Sequence, residues 1–373
     1  MGGLALKDRY AGFRNPDTIR SLSGQIAQEA ERLEAPLRIM EVCGGHTHTI
    51  MKYGLPQLLP EKISFIHGPG CPVCIMPKER IDHAIALARM ENTILVTLGD
   101  MIRVPGFETS LAQERAAGYD IRPLYTPADA LKIAKENPDK QVIFFAVGFE
   151  TTTPMTAAVI KAVLEQKIKN LFFHINHVLV PPAITAIMAD KKARINAFIG
   201  PSHVSVIAGA RIYQPLPESY RTPVVVSGFE PVDVLEGILM IVRQQVQKRA
   251  ELEIEYTRSV TMEGNILAQK LIERYMQPRP HFRWRGIGDI PESALELREE
   301  FAFLDAERLF ADLLPNEPID DHRLCICGTI LKGLAKPMEC KVFGTACTPK
   351  TPLGSCMVSS EGACNAYYRY RGI

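Results

Sequence analysis

The sequence predicts an α/β protein: two similar lobes of mainly parallel sheet flanked by helices and facing across a cleft, plus a small irregular, cysteine-rich C-terminal domain. Three observations carry that expectation. Apolar runs of strand length recur along the chain, and each ends in a glycine-rich or polar corner. Helical patterns separate most of them, and continuous apolar strands alternating with helices belong to parallel sheets covered on both faces. The nine cysteines fall into two groups, three between Cys43 and Cys74 and six between Cys325 and Cys364. A tail with cysteines and little apolar periodicity needs another source of cohesion, which a bound metal supplies.

In chain order, Asn15-Pro16-Asp17 opens a helix on which Ile19, Leu22, Ile26, Ala30 and Leu33 recur at helical spacing. Residues 37–42 read as a strand that runs into Cys43-Gly44-Gly45-His46-Thr47-His48-Thr49. Glycines placed there let the backbone turn sharply, the next helix presents its positive end, and a thiol is expected to rest as a stabilised thiolate. Further strands are expected at 63–65, 94–97, 142–147, 171–175, 197–199 and 224–226. Their corners are Gly68-Pro69-Gly70, Gly99-Asp100, Gly148-Phe149-Glu150, Asn176-His177, Gly200-Pro201-Ser202-His203 and Gly228-Phe229-Glu230. Helices are expected at 79–90, 129–136, 231–253 and 263–276. In open parallel sheets ligands sit at the carboxyl ends of strands, where these corners fall.

Two internal echoes suggest the lobes. Val147-Gly148-Phe149-Glu150 resembles Ser227-Gly228-Phe229-Glu230, and His67-Gly68-Pro69-Gly70 loosely resembles Ile199-Gly200-Pro201-Ser202. The expected division is a helical segment at 1–35 packing on the C-terminal part, one lobe at 36–54 and 142–260, a second at 55–141, and a C-terminal helical and cysteine-rich domain at 261–373.

With 46% hydrophobic and 23% charged residues and a net charge of +1 over 373 residues, the chain shows no basic face for nucleic acid. The start, with Lys7, Asp8 and Arg9, lacks the apolar core of a signal peptide. The stretches 141–161 and 171–189 carry Glu150 and Pro154, and His174, Asn176, His177 and Pro181-Pro182; each reads as strand into helix rather than a membrane span. The chain is therefore expected to be cytoplasmic, where cysteines serve metal or redox chemistry rather than a disulfide framework.

Cys71-Pro72-Val73-Cys74 can close a disulfide, lower the pKa of its leading thiol, or give a metal two ligands; the spacing does not choose. The tail thiols Cys325, Cys327, Cys340, Cys347, Cys356 and Cys364 lack the two close pairs of a zinc ribbon, and their wide spacing suits an iron–sulfur cluster. Two of the six are left over, to form a disulfide or to pack as small hydrophobes. In its Gly-Gly-His context Cys43 reads as functional, His46 is preferred to His48, and Glu150 to Glu230. His67 and Asp100 stand open between structural and site roles. His174, His177 and His203 read as structural.

These motifs, with Gly148-Phe149-Glu150-Thr151-Thr152, Phe343-Gly344, Cys347-Thr348-Pro349 and Met357-Val358-Ser359-Ser360-Glu361-Gly362-Ala363-Cys364, resemble the HypD family of [NiFe]-hydrogenase maturation proteins from about residue 37 to 368. The resemblance implies an accessory scaffold with redox chemistry, rather than a stand-alone turnover enzyme, that assembles a transient iron centre bearing two cyanides and one carbon monoxide, Fe(CN)2CO. It implies a small HypC-type chaperone whose N-terminal cysteine shares the iron, a HypE-type cyanide donor, and a chain that is monomeric alone. Carried over residue by residue, Cys43 holds the iron with His46 as ligand support or proton handler, and Cys71 and Cys74 form a redox pair. Cys327, Cys340, Cys347 and Cys364 hold a [4Fe-4S] cluster; the two thiols left over, Cys325 and Cys356, read as a disulfide relay between cluster and pair. The pair is expected to face Cys43 across the cleft. The competing readings are a freestanding, cluster-fed thiol–disulfide oxidoreductase and a structural zinc protein.

Overall fold

The computed structural model of the chain describes residues 11–190 and 192–370. Lys7, Asp8 and Arg9, on which the expectation of no leader rests, lie outside them. In chain order the parallel strands are β1 (Leu37–Glu41), β2 (Ile63–His67), β3 (Thr93–Leu98), β4 (Ile121–Leu124), β5 (Gln141–Gly148), β6 (Leu171–His177), β7 (Ala197–Pro201), β8 (Val224–Ser227) and β9 (Leu252–Ile254). They form two sheets, one in the order β2-β1-β7-β8-β9 and the other β4-β3-β5-β6. All pairings within them are parallel. Burial explains the continuous apolar character of the strands: every residue of β5 after Gln141 is buried, so both faces need apolar side chains.

Strand membership differs from the expected division. β2 pairs with β1, Leu37 opposite Ile63 through Glu41 opposite His67. β5 and β6 pair with β3 rather than with the strands of the first sheet. The chain leaves the first sheet after β2 and returns at β7. Consecutive strands tend to be neighbours in space, and β1 and β2 follow that rule where the echo-based division did not. The Gly-Phe-Glu echo has a different meaning: its two copies are corners of different sheets, one after β5 and one after β8. Of the parallel strands two, β4 and β9, are not expected from the sequence, and both are at edges. β4 carries Pro123, and β9 is three half-buried residues.

The two sheets share a core. Met40, Ile66, Phe198 and Val226 of the first pack in one cluster with Leu95, Ile143, Phe145 and Val147 of the second. Cys71, Cys74, Cys327, Cys347, Cys356 and Cys364 belong to that same cluster, as does the fully buried Trp284. The helix Pro16–Ala30 is capped by Asn15, whose side chain accepts from the N–H groups of Asp17 and Thr18. It lays Leu22, Ile26 and Ala30 against Pro231–Val246 and so covers the first sheet, not the C-terminal part as expected.

Beyond β9 the antiparallel pairs Met276–Pro278 with Leu295–Leu297 and His281–Trp284 with Gly288–Pro291 are short. After Pro315 the chain holds only brief helical turns, among them Cys327–Leu331, until Ala363–Tyr370. That last helix packs on Gly44–Lys52. The irregular tail is thus folded onto the strand ends of the first sheet. Among the described residues no helix is long and apolar enough to cross a membrane.

Candidate metal and thiol site

Strand order assembles the site. Because β1 lies between β2 and β7, the Cys43 corner is flanked by the Cys71 corner on one side and the His203 corner on the other. Cys43 is the N-cap residue of Gly44–Lys52, with extended backbone (φ −150°, ψ 129°) and the Gly45 N–H 3.4 Å from its sulfur. Gly44 N–H donates to the Gly70 carbonyl at 3.0 Å. The contact is backbone on backbone: a Cβ on Gly70 would stand 2.2 Å from Cys43 N, and one on Gly44 2.2 Å from Glu361 Cβ. Three motifs distant in sequence therefore meet at Cys43. The Cys71 corner lies beside it in the same sheet, and not across a cleft as expected.

The electrostatics of Cys43 also differ from expectation. Burial pushes its thiol well above the ordinary range, and the carboxylates of Glu361 and Glu41 push the same way. The Gly45 N–H does favour a thiolate, but desolvation of the charge outweighs one helix N-terminus. The thiol therefore rests protonated near neutral pH.

The imidazole next to Cys43 Sγ is that of His203, its two ring nitrogens at 3.8 and 3.9 Å. His46 instead lies 2.8 Å through Nε2 from the Gly228 carbonyl, with its ring stacked on Phe229 at 4.5 Å between centroids. Its Nδ1 is buried without a partner. Burial lowers both imidazoles to about 4, so both are neutral near pH 7. The signal for His203 lay in its corner after β7, but only the pairing of β7 with β1 gives that corner meaning. Sequence reasoning also passed over Glu41, which is fully buried. It accepts from Cys43 N–H at 3.0 Å, from the Thr47 hydroxyl, and from His67 Nδ1 at 2.6 Å. His67 continues to the Tyr367 hydroxyl at 3.0 Å, so its role joins the first sheet to the tail helix.

Two separate cavities adjoin these groups, one of about 220 Å³ beside His67 and Tyr367 and a larger one of about 320 Å³. The larger one is lined by Gly70, Asp100, Thr151, Thr152, His203 and Glu361, and so opens between the two sheets next to the Cys43 corner. Asp100, on this wall, pairs with Arg103 at 2.9 Å. Glu150 is not on the wall. Its Oε1 accepts from Val180 N–H at 2.8 Å at the start of the helix Val180–Ala189, and Oε2 is buried without a partner. Glu230 caps Pro231–Val246 in a reciprocal capping box with Asp233. His177 bonds Thr156, and His174 sits among His83, Arg80 and Asn176.

Cys71 caps the short helix Pro72–Ile75, with Cys74 N–H 3.3 Å from its sulfur. The Cys74 thiol is in contact with the thiols of Cys356 and Cys71, and burial first, then those contacts, raise its pKa well above the ordinary value. Cys356 is the exception in the group. Contacts from the Cys327 and Cys74 thiols lower it to about 6. Cys327 also touches Cys325 and Cys364. The turn at Gly354 seals these thiols, since a Cβ there would stand 2.6 Å from Cys325 Sγ and 2.7 Å from Cys327 Sγ. Cys347 Sγ takes the Leu353 N–H at 3.4 Å, and Cys340 Sγ lies 3.6 Å from the Leu324 carbonyl. All nine cysteines are free thiols. Among the described residues no three His, Cys, Asp or Glu side chains are set around one ion; of the tail thiols, Cys325, Cys327, Cys356 and Cys364 form a run of contacts instead. As a donor set they fit an iron–sulfur cluster, being soft sulfur ligands gathered in a mostly buried tail.

The chain is an α/β protein with two parallel sheets, a buried thiol and imidazole at adjoining strand ends, and a run of contacting thiols beside them. The comparisons name the group. The HypD family model, described as hydrogenase formation hypA family, matches residues 17–371. The chain is 51% identical over 364 residues to the hydrogenase expression/formation protein HupD of Azotobacter chroococcum mcd 1, covering 96% of this chain and 95% of that protein. It is 50% identical over 364 residues to the hydrogenase maturation factor HypD of Azotobacter vinelandii, with the same coverage. To the hydrogenase maturation factor HypD of Escherichia coli (strain K12) it is 43% identical over 363 residues, covering 96% of this chain and 97% of that one. The chain belongs to the HypD family, which gives it a role in hydrogenase maturation.

Proposed function

We propose that the chain is the scaffold on which the Fe(CN)2CO centre of [NiFe] hydrogenases is assembled, with the iron held through Cys43 and shared with a HypC-type chaperone, and with cyanide supplied by a HypE-type donor. The observation that carries this is the convergence of the Cys43, Cys71 and Glu361 motifs at one end of one sheet, beside a cavity large enough for a small metal complex. Low-spin iron with strong-field ligands calls for soft thiolate donors, and Cys43 becomes one when iron displaces its proton.

Redox chemistry is assigned to the thiols next to it. The contacts run Cys71, Cys74, Cys356, Cys327, and the lowered pKa of Cys356 makes it the attacking thiolate. In an oxidised Cys71–Cys74 pair, Cys356 attacks Sγ of Cys74 and Cys71 leaves as thiolate. Cys327 then attacks Cys356 and releases Cys74, so two thiols are oxidised as two are reduced. Cys327 thereby takes the relay place expected for Cys325, and Cys325, Cys340, Cys347 and Cys364 remain as the four thiolates for a [4Fe-4S] cluster. When bound, such a cluster supplies single electrons. This arrangement also favours the scaffold over the freestanding oxidoreductase, because the thiol run ends beside Cys43 rather than at an open surface: Cys71 and Cys74 are 3% and 1% exposed.

The test is infrared spectroscopy of the full chain purified anaerobically with its small chaperone. The parent is expected to show cyanide and carbonyl stretching bands, and Cys43→Ala to lose them. Bands that persist in Cys43→Ala overturn the assignment of the iron to Cys43.

A further inference from the structure

We propose that the outer face of the cysteine-rich tail, where Arg323, Leu324, Met338 and Lys341 gather around the partly exposed thiols of Cys325 and Cys340, is the docking site of an acidic one-electron carrier protein. This rests on the reading of the tail thiols as cluster ligands. Residues 322–350 hold five cations, Arg323, Lys332, Lys336, Lys341 and Lys350, and one carboxylate, Glu339. The segment is thus +4 in a chain whose total is +1. Its one carboxylate turns back on its own turn, where Glu339 Oε1 accepts from Lys336 N–H at 2.6 Å. Just before the segment, Asp320 and Asp321 are held by Arg283 and Arg285, and among the described residues no ion pair takes up Arg323, Lys332, Lys341 or Lys350.

Two contacts bring these charges together. Cys340 Sγ lies 3.6 Å from the Leu324 carbonyl, which sets Arg323, Leu324 and Cys325 against Cys340 and Lys341. Cys340 N–H donates to the Pro337 carbonyl at 3.1 Å, so Lys336 and Met338 stand within one turn of the same thiol. Leu324, Met338 and Leu334 are 44%, 43% and 37% exposed, and an apolar patch rimmed by cations has the make-up of a protein-docking surface rather than of a solvated face. Of the nine cysteines only Cys325 and Cys340 are partly exposed, the other seven being buried. The contact of Cys325 with Cys327 joins this face to the thiol run whose other end is the Cys71-Cys74 turn. Surplus positive charge selects a negatively charged partner and speeds its approach. Each encounter moves one electron, the carrier being oxidised by one and the cluster reduced by one, and two encounters supply the electron pair that reopens one disulfide of the run.

The experiment uses the full chain, purified anaerobically, with a flavodoxin as the acidic carrier. Calorimetry gives the affinity, and stopped flow follows electron transfer from the flavodoxin hydroquinone as the rise of the flavin semiquinone absorption. The parent is compared with the double variant Arg323→Glu, Lys341→Glu and with Lys169→Glu, which reverses an exposed cation just before β6; circular dichroism reports folding. The double variant is expected to bind about tenfold or more weakly at low ionic strength and to accept electrons correspondingly more slowly, with the difference shrinking as salt is added. Lys169→Glu is expected to match the parent, and dithionite to reduce all three proteins at one rate. Parental affinity in the folded double variant overturns the proposal, as does an equal loss in Lys169→Glu. Binding that the reversal weakens but that yields no semiquinone overturns the choice of an electron carrier as the partner. A parent without bound iron and sulfide overturns the cluster reading instead, and the calorimetric comparison then still judges the docking face by itself.

Discussion

Glu150 is a buried carboxyl at a strand-end corner, and its burial can be tested directly. Its place in Gly148-Phe149-Glu150-Thr151-Thr152 suggested chemistry, yet its carboxyl is turned to the N-terminus of Val180–Ala189. Burial raises its pKa to about 7. A carboxyl whose folded pKa is raised costs no stability below the usual carboxylate range; the cost grows as pH rises toward about 7 and is constant above. Glu150→Gln keeps an oxygen for the Val180 N–H and cannot ionise. Urea melts are expected to find the variant more stable than the parent at pH 8, by on the order of 1–3 kcal/mol, with the difference gone at pH 4. An equal difference at both pH values would refute the burial argument. Cys43 was legible at this scale because glycines after a strand announce a special turn. His203 and Glu41 were not, since their importance comes from neighbours 160 residues away in one case and from a buried hydrogen-bond cluster in the other.

At the scale of elements, what mattered was which strands pair. Periodicity located most strands of both sheets and the helices between them, because fully buried strands leave continuous apolar runs. Pairing order is non-local and left no such trace, and the edge strands β4 and β9 are too short or too polar to stand out. Once β2, β1 and β7 are known to be adjacent, Cys71, Cys43 and His203 fall in a row, and the tail elements Ser355–Met357 and Ala363–Tyr370 close over them. Ser355 is tied to the Cys74 carbonyl through its hydroxyl at 2.5 Å, which seats Cys356 against the Cys71-Cys74 turn. The relay and the cluster thiols should therefore separate by mutation. Cys74→Ser is expected to abolish hydrogenase maturation while leaving the visible absorption of anaerobically purified protein intact, and Cys340→Ser to bleach that absorption and loosen the tail. Bleaching in Cys74→Ser would make Cys74 a cluster ligand and end its assignment to the relay.

Across the whole molecule, the two sheets and the C-terminal part are locked by a buried charge network as well as by the shared core. Glu307 accepts from Arg80 at 2.9 Å and from Arg279 at 2.6 and 3.1 Å. Arg80 lies on the helix Lys78–Ala88 that crosses from β2 to β3, and it also reaches Asn176 Oδ1 at 2.7 Å and the Ile175 carbonyl at 3.1 Å at the end of β6. One carboxylate thus ties the crossover behind Cys71-Cys74, the second sheet and the helix Ala306–Leu309 together. The two guanidinium groups outweigh its burial and hold its pKa far below the usual carboxylate range. A depressed folded pKa gives stability that is fully present above that range and is lost as pH falls through it and below. Glu307→Gln leaves Arg80 buried without its charge partner, a loss of about 3–5 kcal/mol near neutral pH. Urea melts are expected to show that deficit at pH 7 and a smaller one at pH 3.5, where the parental carboxylate has begun to surrender its own contribution. A deficit of the same size at both pH values would mean that packing, and not the ion pair, makes Glu307 necessary to the lock.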